Sequence, residues 1–316
     1  EFLASKDPRS YEKLVDRLLA RPQFGERLAS MWLPVMRYAE DQAHQVGNNS
    51  KFFYPHAHQY RRWVIEAFNR DLPFDQFVRL QLAADHYGDE DLAALGFIGL
   101  GPQYYNRKRL DVQAEEWEDR VDTVTRSFLG LTVACARCHD HFYDPITTKD
   151  YHAMAGIFAS VSMDSRKVGD RTFHVVKDSK VQDLNVFIRG NVEEKGELVP
   201  RGFLRILASG QERQTFGEGS GRRELAEAIV APGNPLTSRV MVNRLWGELF
   251  GVPLVKSASN FGSTGDRPSH PGLLDYLAIK FREEGWSIKA LVRELVLSAT
   301  YRQASTRRKD NTLLAG

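Results

Sequence analysis

The sequence predicts a mainly α fold, with a helical N-terminal domain and a helical C-terminal domain joined by a small β-containing segment. Three observations carry this expectation. Apolar residues recur at helical spacing through the first half, as in Tyr60, Trp63, Val64, Ala67 and Phe68. From Arg166 to Ile206 that period gives way to strand-like content punctuated by Gly190, Gly196 and Gly202. Helical spacing returns in the last hundred residues. The segments that follow are 1–164, 165–215 and 216–316.

The elements are expected in this order. Asp7 caps a first helix with Pro8 at its first position, and Tyr11, Leu14, Val15, Leu18 and Leu19 form one stripe before Arg21-Pro22. A second helix follows Phe24-Gly25 and carries Leu28, Met31 and Trp32, with Pro34 bending or ending it. A polar and aromatic loop from Asp41 to Gln59 leads to the helix of Tyr60–Phe68. Phe74, Phe77, Val78 and Leu82 mark the next helix, and Gly96 to Arg109 reads as an irregular loop. A helix over about Glu115–Leu131 buries Trp117, Val121, Val124 and Phe128. Thr147 caps the helix of Tyr151, Met154, Ala155 and Phe158. Val181–Ile188 has strand-like content, and Gly217, Gly219 and Gly221 mark a flexible stretch. Helices then start after Asn234-Pro235, at Ser269-His270-Pro271 and at Ser287, the second ending at Gly285.

Composition narrows the function classes. The 316 residues suffice for a substantial core, and 42% hydrophobic with 27% charged residues is ordinary for a globular chain. Lys plus Arg number 43 against 41 Asp plus Glu, a formal net charge of +2 that argues against a dedicated nucleic-acid binder. The run Arg107-Lys108-Arg109 reads as a solvated loop. No apolar stretch reaches the roughly eighteen residues of a transmembrane segment.

The sharpest signal is Cys135-Ala136-Arg137-Cys138-His139, which contains the only two cysteines. Two intervening residues let a short turn present both sulfurs to the two vinyl groups of a porphyrin. The following His is then carried beneath the iron. On this reading one covalent haem c sits in the first domain, anchored by Cys135 and Cys138, with His139 as proximal ligand. A disulfide between the cysteines stays open, although redox-active dithiol pairs sit where a strand enters a helix. A zinc site of Cys135, Cys138, His139 and His141 also stays open, although ligands so crowded make a poor tetrahedron. Phe128, Leu129, Leu131, Phe142, Tyr143 and Ile146 are available as apolar walls.

The sixth iron position decides between carrier and catalyst. His44, beside Glu40-Asp41, is the favoured distal ligand or acid–base group, ahead of His56 and His58 in the same loop. Met154 and Met163 follow the motif, but Met154 shares the apolar stripe of its helix and reads as core. His141 lies too near His139 to reach the opposite face, so it orients the proximal side or lines a second polar or metal site. Arg137 is placed to pair with a haem propionate.

The stretch Cys135–Ile146, preceded by Phe128-Leu129-Gly130-Leu131-Thr132, resembles the planctomycete-type cytochrome family, large secreted proteins with two main domains of unknown function. Tyr60–Asn69 resembles the first of these domains. Asn234–Trp246, Ser259-Asn260-Phe261-Gly262, Pro268-Ser269-His270-Pro271 and Leu297–Gln303 resemble the second. The resemblance implies an extracytoplasmic location and a single haem, and no established reaction. The expected function is electron transfer by an extracytoplasmic monohaem c-type cytochrome, with a redox partner protein or small-molecule substrate left open. The alternatives are a haem enzyme with an open distal site catalysing an oxidation, and a non-haem interaction protein whose cysteines form a disulfide or hold metal.

Overall fold

The computed structural model describes residues 2–41, 53–104, 106–208 and 212–303. Helices α1 (Ser10–Leu19), α2 (Gln23–Val35), α3 (Ala57–Asn69) and α4 (Phe74–Ala83) come first, with α2 packed on α3. A short helix α5 (Gly96–Gly99) and the long α6 (Leu110–Val124) follow, and α7 (Thr148–Ala159) closes the N-terminal helical part. Two antiparallel hairpins come next, β1 (Val161–Val168) with β2 (Arg171–Asp178), and β3 (Leu184–Phe187) with β4 (Lys195–Val199). Helices α8 (Arg222–Val230), α9 (Leu236–Phe250), α10 (Pro271–Glu283) and α11 (Ile288–Leu297) complete the described chain. The architecture is mainly α with two small sheets. No described helix is long and apolar enough to cross a membrane.

Trp32, fully buried on α2, sits at the centre of an aromatic cluster. Phe74, Phe77, Phe97 and Phe128 pack on its ring, and its Nε1–H reaches Tyr60 Oη at 3.1 Å and Gln81 Oε1 at 3.0 Å. Burying the indole is favourable only because this N–H finds acceptors. The apolar cluster built on this centre is continuous from Leu28 through Phe158 to Leu295, so α8 to α11 share a core with α1 to α7.

Most expected elements form with shifted ends. The regular helix is Ser10–Leu19, two residues later than Pro8, and Asp7 accepts from the N–H of Arg9 at 2.8 Å in the turn that leads into it. Pro34 lies inside the last turn of α2, which runs one residue beyond it. The loop after Asp41 ends sooner than expected, since His56 flanks α3 and His58 is in its first turn. Of the loop expected over Gly96–Arg109, Gly96–Gly99 is a buried helical turn, and the described residues after it are irregular. Thr147 caps α7 as expected, in a reciprocal box with Asp150.

The stretch expected to be flexible around Gly217–Gly221 is a pinned turn. Ser220 is buried, and its N–H and hydroxyl both bond to the Asp178 carboxylate. Arg222 is buried behind it between Asp85 and Asp178. Buried charges persist when paired and hydrogen-bonded, and this pairing ties α8 to the end of α4 and to β2.

Candidate functional site

Helix α6 delivers the chain to the cysteines through a π-helical turn over Thr125–Leu129. Gly130 ends it in the left-handed region at φ 60°, where a Cβ would also run into the ring of Phe261. The end is held from the other half of the molecule. Arg244 of α9, buried, donates to the carbonyls of Ser127 and of Arg126, the latter at 2.8 Å. Desolvation without a facing carboxylate drags its pKa down to about 10. Phe261 N–H donates to Gly130 O at 2.7 Å.

The motif occupies a 3-10 turn over Val133–Arg137, anchored by the fully buried Val133 and Ala136. That anchoring turns Cys135 and Cys138 outward, and both are exposed free thiols. His139 follows on the surface. Its Nδ1 lies 2.7 Å from the carbonyl of Asp140. A carbonyl can only accept, so Nδ1 carries the hydrogen and Nε2 presents its lone pair. Among the described residues nothing bonds to Nε2. An imidazole oriented by a backbone carbonyl with its other nitrogen available is how protein metal ligands are prepared. Phe142 packs on the His139 ring at 4.2 Å between centroids while 80% exposed, and Tyr143 beside it is 69% exposed. The two rings leave apolar surface exposed beside His139.

His141 differs from its neighbour. Its side chain is buried, and Nδ1 accepts from the N–H groups of Tyr143 and Asp144 at 3.2 and 2.9 Å. Nε2 therefore carries the hydrogen and donates to Thr132 Oγ1 at 3.1 Å. Asp144, also buried, accepts from Ser263 N–H at 2.6 Å, and its Oδ2 has no hydrogen-bond partner. His141 thus fixes the loop under His139. No group of three or more His, Cys, Asp or Glu side chains among the described residues is gathered to hold a metal ion.

Arg137 turns inward and pairs with Glu118 on α6. Beside Cys135 runs a groove of about 480 Å³ bordered by Tyr104, Glu115, Glu118, Asp119 and Asp122. Three of these carboxylates are matched, by Arg137, Arg37 and Arg126. Met154 is buried in the core on α7. His44 lies outside the described residues.

A separate polar pocket of about 580 Å³ brings His56 and His174 together, their rings 5.8 Å apart, with Tyr54, Asp164 and Ser165. His174 Nε2 accepts from the N–H of His56 at 3.2 Å, so Nδ1–H donates to Ser165 Oγ at 3.2 Å. Burial and the nearby His56 pull its pKa down to about 4. An imidazole that donates to Ser165 cannot take that hydroxyl's proton, so the pair is not a nucleophile and base. Sequence reasoning did not join these histidines. It also missed Glu118 and Thr132, which carry no local pattern.

Residues 1–163 match the family described as PSCyt2, protein of unknown function (DUF1549), and residues 221–315 match PSD1, protein of unknown function (DUF1553). No curated protein and no solved structure matches the chain.

Proposed function

The chain belongs to the PSCyt2 family of proteins of unknown function, and from that premise we propose that it is an extracytoplasmic, monohaem c-type cytochrome-like protein acting in electron transfer. One observation supports this above the rest. Two exposed free thiols stand beside an imidazole whose Nδ1–H is fixed on the Asp140 carbonyl and whose Nε2 is open. The donor set fits a haem c. Cys135 and Cys138 would hold it, and His139 Nε2 would ligate the iron. When bound, the haem supplies one-electron redox chemistry. The protein's own part is to hold His139 in one tautomer, to keep the loop rigid through His141 and to offer Phe142 and Tyr143 as apolar cover. Arg137 serves the turn through Glu118 on this reading rather than a propionate.

An oxidation catalyst with an open iron face is the second reading. It is favoured by Met154 being sealed in the core and by His141 having both nitrogens engaged, so neither is prepared as a sixth ligand.

The test is production in a host that matures c-type cytochromes in an oxidising compartment. The denatured chain should then weigh one haem more than its polypeptide and show a Soret band, and Cys135→Ala with Cys138→Ala should remove both. A bare polypeptide mass from the unaltered chain overturns the proposal. A high-spin spectrum that shifts with cyanide selects the catalyst, and an inert low-spin spectrum selects the carrier.

A further inference from the structure

The turn between β3 and β4 meets the motif at one atom. Arg189 and Gly190 are consecutive left-handed residues, at φ 53° and 77°. A Cβ built on Gly190 would lie under 3.0 Å from Cys138 Sγ, and the next nearest atoms, at 3.5 and 3.8 Å, also belong to Cys138. The turn cannot easily retreat. Asn191 N–H closes it on Ile188 O at 3.0 Å, and Ile188 N–H bonds Glu194 O at 2.9 Å. Just before it, Phe187 N–H donates at 3.0 Å to Nε2 of His152, whose Nδ1 is held at 2.8 Å by the Thr148 carbonyl. The hairpin is therefore fastened to α7, and its glycine is brought flush against the sulfur.

Resting on the haem reading, we propose that Gly190 is a positioning residue for the thioether at Cys138. The bond forms when the Cys138 S–H adds across a vinyl C=C. Sulfur bonds the carbon next to the ring, the hydrogen ends on the terminal carbon, and the double bond becomes single. Nothing is oxidised or reduced overall, so no further reactant is needed. The sulfur must hold one direction while this happens. A side chain at 190 would push it aside, since the His152 anchor and the hairpin keep the turn in place.

Gly169 supplies the control. It has φ 62° at the tip of the β1–β2 hairpin, and nothing lies within 4 Å of where its Cβ would be. Gly169→Ala and Gly190→Ala thus carry a similar backbone strain, and only the second meets a sulfur. The full chain, Cys138→Ala and both glycine variants are matured with haem, and the α-band in alkaline pyridine reads how many vinyl groups are saturated. Gly190→Ala should follow Cys138→Ala, whether that variant shows a red-shifted band or loses covalent haem, while Gly169→Ala keeps the wild-type band. A wild-type band from Gly190→Ala overturns the inference and leaves the haem reading standing. Absence of haem from the unaltered chain sinks both. Thermal unfolding of the haem-free chains gives an independent check. Gly190→Ala should lower the midpoint more than Gly169→Ala does, and adding Cys138→Ala should abolish the difference. A deficit that persists without the sulfur refutes the contact.

Discussion

His139 and His141 stand two positions apart and are prepared for opposite tasks. One shows an open Nε2 at the surface, and the other spends both nitrogens inside the loop. The difference comes from burial and from which backbone groups reach each ring. Burial also acts on two other histidines, His152 and His174, and disfavours their charged forms. His174 is held at about 4 by burial, and burial also lowers His152. The sign is set by the unfolded chain, in which His titrates near 6.5. Below that pH the unfolded state binds protons that folded His174 refuses, so stability is complete above about pH 6.5 and falls as pH drops toward 4. The loss from His174 alone should reach about 2 kcal/mol by pH 5. Urea titrations at pH 7 and pH 5 check this. His174→Gln should flatten the dependence, and an equal slope in that variant would refute the assignment.

At the scale of elements, the end of α6 matters most, because it aims the cysteines. Its π-helical turn leaves carbonyls that α6 cannot satisfy, and Arg244 supplies the donors from α9. Replacing Arg244 with Met should cost about 3 kcal/mol, the expense of buried carbonyls left bare. Lys should restore little, having no planar fork to reach two acceptors. Chemical denaturation measures both, and a Lys variant as stable as wild type would disprove the two-acceptor role. The helices themselves were legible. The Tyr60–Phe68 stripe, the Thr147 and Ser287 caps and the stop at Gly285 all stand in the structure, since each rests on neighbours within a turn or two. The β segment was legible in content but not in pairing. The β1–β2 hairpin, turning at Gly169, starts inside the stretch read as helical. The cysteine motif was legible because its chemistry is local. Gly190 against Cys138, His56 against His174 and Arg244 under Ser127 join residues tens to more than a hundred positions apart, and no local pattern encodes such meetings.

For the molecule as a whole, the C-terminal helices are part of the support of the motif. Arg244 caps the turn before it, Phe261 N–H donates to the Gly130 carbonyl, and Ser263 N–H donates to the Asp144 carboxylate below the His139 loop. Arg222 adds a buried ionic tie from α8 to Asp85 and Asp178, and the apolar core is continuous across these contacts. A core shared in this way cannot be lost piecemeal without exposing apolar surface on the part that remains. The full chain should therefore unfold in one calorimetric transition, with the van't Hoff and calorimetric enthalpies equal. Arg222→Met should lower the midpoint of that transition and keep it single, because it leaves Asp85 and Asp178 without their partner inside the common core. Two resolved transitions in the unaltered chain, one of them insensitive to Arg222→Met, would mean that the halves fold independently and that the motif does not depend on its distant partners.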